Sequence, residues 1–127
     1  MLNRKTFQRL AHESAPICIS IYVPGHPSES GMESRSFLKK MLSDASKQIM
    51  EKGLSDKDAR AFLFNAYELL NDESRWKQLD SSYSIFISER VFEALEINRQ
   101  VAPKLTIARK FYLLPLIAEL SSANEFY

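Results

Sequence analysis

The sequence predicts an α+β domain: a mixed β-sheet of about four strands with two long antiparallel helices and shorter helices packed on it. Two observations carry this. Apolar residues alternate with a period of two over residues 16–23 and again over 83–108, whereas between them they recur at three and four, the spacing of amphipathic helices. An order of helix, strand, two long helices, three strands and helix then fits a sheet with helices layered on it.

Asn3 is placed to cap a short helix through about Glu13, with Phe7, Leu10 and Ala11 on one side. Pro16 ends it and opens a strand. Ile17, Ile19, Ile21 and Val23 fall on one face of that strand, and Cys18, Ser20 and Tyr22 on the other. Pro24 has no N–H for a ladder, so Pro24-Gly25-His26-Pro27 should leave the sheet as a loop. A polar loop continues to Gly31.

A long helix is expected from about Met32 to Lys52, with Phe37, Leu38, Met41, Leu42, Ala45 and Ile49 as its buried stripe. Gly53 suits the left-handed residue that closes such a helix. Ser55 with Asp58 is a variant capping box, and it opens a second long helix through about Asn71. Its apolar face is Ala59, Phe62, Leu63, Ala66, Tyr67 and Leu70. Asp72 is suited to cap a further short helix around Trp76, the single tryptophan, which should be buried. Tyr83 to Ser88, Val91 to Ile97 and Leu105 to Ala108 then read as strands, with Glu89-Arg90 as a tight connection, and a last helix follows Pro115 to about Leu120.

With 127 residues, 45% of them apolar and 26% charged, residues 1–127 make one ordinary globular domain. A net charge of +1 argues against a strongly basic nucleic-acid binder and leaves room for a local patch. Cys18 alone cannot form an internal disulfide, which suits a reducing, cytoplasmic setting. No run approaches the ~20 apolar residues of a membrane span, and the basic N-terminus lacks the apolar stretch of a signal peptide. Three glycines leave little material for a phosphate-cradling loop, and no zinc spacing or nucleophile elbow is present. No catalytic set, metal site, cofactor or small-molecule substrate is expected.

Several landmarks occur in order: Pro16 with Ser20-Ile21-Tyr22 and Pro24-Gly25-His26, Phe37 to Leu42 with Ala45, Trp76, Ser84-Ile85-Phe86-Ile87-Ser88, Phe111 to Leu116, and Glu125-Phe126-Tyr127. In their order and spacing they resemble the N-terminal domain of the bacterial branch of the archaeo-eukaryotic release factor superfamily, related to class-1 translation termination factors and Pelota. The resemblance covers about Phe7 to Tyr127. It implies a longer protein with an RNase H-like middle domain and a C-terminal domain similar to the ribosomal L7Ae group, so that this chain stops where the middle domain would begin. It also implies work around the ribosome or RNA, in translation or under stress. The Asn-Ile-Lys-Ser loop that reads stop codons has no counterpart in Glu51 to Asp56, and the Gly-Gly-Gln tripeptide of peptide release is absent. Neither activity is expected.

Arg35, Lys39, Lys40 and Lys47 on the first long helix are the candidate contacts to RNA phosphates, although Glu33, Asp44 and Glu51 are interspersed and a solvated face explains them equally. Tyr22, opposite the isoleucines, is the aromatic expected to stay available for stacking, whereas Tyr67, Trp76, Tyr83, Phe111 and Tyr112 follow core stripes. His26, in its Pro-Gly-His-Pro loop, is a candidate for phosphate contact, although a loop histidine holding a turn explains it more simply. A metal site there would need further ligands, and His12 sits on a different element. Glu68, Asp72 and Glu73 form a compact acidic group, most simply a helix cap. The expected function is that of a non-enzymatic, release-factor-like domain contacting ribosome or structured RNA. The alternative is a protein-interaction or dimerisation module without RNA binding, with Phe126 and Tyr127 seeking a surface and giving a weak homodimer.

Overall fold

A computed structural model describes residues 2–25, 32–72, 76 and 82–123. In chain order the elements are α1 (Arg4–His12), β1 (Cys18–Val23), α2 (Met32–Glu51), α3 (Asp56–Phe62), α4 (Phe64–Leu70), β2 (Ser82–Ile87), β3 (Phe92–Ile97), β4 (Lys104–Ala108) and α5 (Leu114–Ala123). Local signals explain the ends. The Asn3 side chain accepts from the Thr6 N–H at 2.8 Å, and Ser55 Oγ accepts from the Asp58 N–H at 3.1 Å, so both caps satisfy a donor that the helix leaves free. Gly53, at φ 115°, closes α2, with Leu54 N–H reaching Ile49 O at 3.2 Å and Gly53 N–H reaching Met50 O at 3.0 Å.

The strands form one sheet in the order β3-β2-β1-β4. Every pairing is antiparallel, so the sheet is not mixed. The short connection from β2 to β3 imposes an antiparallel pair, whereas β1 pairs antiparallel with β2 across a connection that contains α2, α3 and α4, and with β4 on its other side. The second expected long helix is also divided. Leu63 leaves α geometry at φ −98° and ψ 6°, while its N–H still donates to Ala59 O at 3.1 Å and its carbonyl still accepts from Tyr67 N–H at 3.0 Å. Leu63, Ala59, Ala66, Leu69 and Leu70 all stay in one core across the bend.

Each face of the sheet has its own core. Ile19, Ile21, Val23, Ile85 and Ile87 pack with Leu38, Leu42, Ala45 and Ile49 of α2, with α3 and α4, and with Trp76. On the opposite face, Cys18, Tyr22, Phe86, Leu95 and Ile97 pack with Leu10 of α1, Phe111, and Leu116 of α5. That second face is laced with serines that bind connecting backbone. Ser20 Oγ accepts from Tyr112 N–H at 2.9 Å, and Ser82 Oγ accepts from Val101 N–H at 3.2 Å. Buried N–H groups without a ladder partner are thereby satisfied, which fixes the irregular segments beside β4.

Trp76 is fully buried, as expected. Its Nε1–H donates to Leu69 O at 3.0 Å and its ring lies 5.5 Å from that of Tyr83. The rest of the short helix expected around it lies outside the described residues, as do Glu73, His26, Phe126 and Tyr127. Among the described residues no helix is long and apolar enough to cross a membrane.

Candidate nucleic-acid interface

The buried stripe of α2 faces the sheet and thereby decides where its cations go. At roughly 100° per residue, Arg35 and Lys39 share the shoulder nearest α4, whereas Lys40 and Lys47, seven apart, lie together on the outer surface. The four therefore form two groups instead of one track. Asp44 and Glu51 fall beside the second group, which dilutes its field. Lys39, Lys40 and Lys47 are exposed, and among the described residues none of them is held in an ion pair.

Arg35 is half-buried and differently held. Its Nε–H donates to Leu70 O at 3.1 Å, at the C-terminus of α4, where carbonyls without helical partners gather partial negative charge. Arg35, Ser36 and Lys39 of α2 meet Leu70 and Asn71 around an open recess of about 250 Å³. Sequence reasoning missed Ser36 and Asn71. Neither has a periodic signal, and only the contact between α2 and the end of α4 brings them to the two cations.

Tyr22 requires correction. Its residue is 1% exposed, its ring makes edge contacts with Phe86 and Tyr112 at 5.8 and 5.9 Å, and its hydroxyl donates to the Tyr112 carbonyl. Burial, with the Tyr112 phenol adding a smaller push, raises its pKa well above the ordinary phenol range. The face opposite the isoleucines is a second core because α1 and the 111–116 segment cover it, so Tyr22 offers no ring to a base. Trp76, Tyr83 and Phe111 are buried as expected, and Tyr67 and Tyr112 are half-buried. The Lys104 ammonium sits 4.9 Å from the centre of the Tyr112 ring.

A polar cluster among the described residues joins the end of α1 to the β2–β3 connection. Ser88 Oγ donates to buried Glu13 at 2.7 Å, Arg90 donates to the same carboxylate at 3.3 Å, and Val91 N–H donates to Ser88 Oγ at 3.1 Å. Each partner is occupied in holding the fold. Ser88 closes the turn, and its hydroxyl shares the Glu13 carboxylate with Arg90. The His12 ring is engaged with Gln8 O at 2.7 Å on its own helix. Among the described residues no three metal-ligating side chains converge, Glu68 and Asp72 included.

Compared with known proteins, the chain matches no protein-family model and no curated protein.

Proposed function

We propose that the chain is a non-enzymatic, cytoplasmic, release-factor-like N-terminal domain that contacts the ribosome or structured RNA through the basic side chains of α2. The order of landmarks from Phe7 to Tyr127 supports the relationship. The observation that carries the contact is the set of exposed ammonium groups on Lys39, Lys40 and Lys47, free of carboxylate partners among the described residues, with the half-buried Arg35 beside Lys39. Such groups are available to displace counterions from a phosphate backbone.

Three to four phosphate contacts make affinity for ribosomes or structured RNA fall roughly 20- to 150-fold between 50 and 200 mM salt. Lys39→Glu with Lys40→Glu should abolish binding while leaving the circular dichroism spectrum unchanged. Salt-independent binding, or none, sinks the proposal.

A second reading rests on α5, where Leu114 is 62% and Ile117 48% exposed, three residues apart on one face. That pair suits a protein-interaction module or weak homodimer. Sedimentation of wild type against Leu114→Lys separates the two: a dimer lost in the variant, with no RNA binding in either, favours this second reading.

A further inference from the structure

The recess between α2 and the end of α4 has a composition that the general basic-face reading does not use. Among the described residues its lining is Arg35, Ser36, Lys39, Leu70 and Asn71, two cations with a hydroxyl and an amide and no carboxylate. The Nε–H of Arg35 is already tied to Leu70 O at 3.1 Å, so the guanidinium is oriented before any ligand arrives. Its remaining N–H groups belong to a planar fork that matches phosphoryl oxygens, and its orientation reduces the rotamer entropy lost on binding. Capping the end of α4 fully explains Arg35 by itself. It does not explain Lys39, which lines the same recess one helical turn on, exposed and without an ion pair among the described residues. At about 250 Å³ and open to solvent, the space falls below the roughly 300–1,000 Å³ of sites that enclose a drug-sized molecule and has room for a phosphoryl group that stays partly hydrated.

We infer that this recess seats a single phosphoryl group, with Arg35 as the oriented fork, Lys39 as the second positive charge, and Ser36 and Asn71 as neutral donors. The inference rests on the basic-face reading only in naming RNA as one source of that group. A free phosphate ion or a phosphodiester in a nucleic-acid backbone would present the same oxygens.

Two titrations of the full chain, followed by backbone amide NMR shifts at constant ionic strength, test it. Inorganic phosphate should move the amides of Ser36, Lys39 and Asn71 saturably, whereas chloride should not. Lys39→Gln should weaken that binding about fivefold, and Arg35→Gln at least as much, in line with one charge-assisted hydrogen bond at a partly exposed site. Because Arg35→Gln also removes the α4 cap, Lys39→Gln, which leaves that cap intact, is the decisive variant. A short single-stranded uridine oligonucleotide saturating the same amides more tightly than inorganic phosphate identifies a backbone phosphodiester as the ligand; the reverse order identifies the free ion. Non-saturating shifts with both probes, or shifts unchanged by Lys39→Gln, overturn the seat, even if salt-dependent RNA binding through Lys40 and Lys47 survives. Saturable phosphate binding without any RNA binding keeps the seat and removes the RNA reading.

Discussion

Replacing Trp76 tests the larger core, because its contributions separate. Trp76→Phe keeps an aromatic ring against Tyr83 and removes the Nε1–H that donates to Leu69 O. That carbonyl also accepts from the Asp72 N–H at 3.2 Å, so it is not orphaned, and losing the bond costs about 1 kcal/mol. The smaller ring leaves a modest void that adds about 1 kcal/mol. Trp76→Ala removes the whole side chain from a fully buried site and should cost about 3–5 kcal/mol. Against a total stability of roughly 5–15 kcal/mol, the first variant stays folded and the second approaches the threshold. Urea unfolding followed by far-ultraviolet circular dichroism reads both, since the probe does not depend on the deleted indole. If Trp76→Ala costs less than about 1 kcal/mol, the indole is not a core residue. If Trp76→Phe costs as much as Trp76→Ala, the hydrogen bond outweighs the packing and this division of the energy is wrong.

Other substitutions separate backbone, hydrogen-bond and proton effects. Gly53→Ala should cost about 1–2 kcal/mol by thermal denaturation through backbone strain alone, because a Cβ at φ 115° meets nothing within 4 Å. Ser88→Ala should cost about 1–3 kcal/mol, since it removes the donor to Glu13 and the acceptor for Val91 N–H together; an effect below about 0.5 kcal/mol would show that the turn holds without it. Tyr22 ionises at higher pH in the folded chain than in the unfolded one, so its contribution is complete below about pH 10 and is lost as pH rises further, when only the unfolded phenol gives up its proton. The pKa of the Cys18 thiol is raised by burial in the same sense, so its contribution is lost at alkaline pH as well. Urea midpoints should therefore fall from about pH 9 to about pH 11 in wild type and fall less steeply in Tyr22→Phe; identical slopes would refute the link.

Local signals in the chain were sufficient for most elements because each depends on near neighbours. Asn3, Ser55 and Gly53 cap helices through bonds spanning three to five residues, and the alternation around Ile19, Ile21, Ile85 and Ile87 needs only the pleat. The break at Leu63 left no trace in the pattern, since Leu63 and Ala66 occupy the same apolar stripe whether or not the helix bends between them. Strand direction was likewise silent: an alternating strand reads the same in a parallel or antiparallel pair, and the partners of β1, distant in the chain, were decided only in the assembled sheet. Tyr22 shows why exposure is a tertiary property. Its place opposite the isoleucines was legible in the sequence, but whether that face met water depended on α1 and residues 111–116, which approach it from both ends of the chain. The basic side chains of α2 were visible as residue types, whereas the bond from Arg35 to Leu70 O and the recess they share with Asn71 followed from the packing of α2 against α4, residues 35 positions apart meeting through a core that no local window contains.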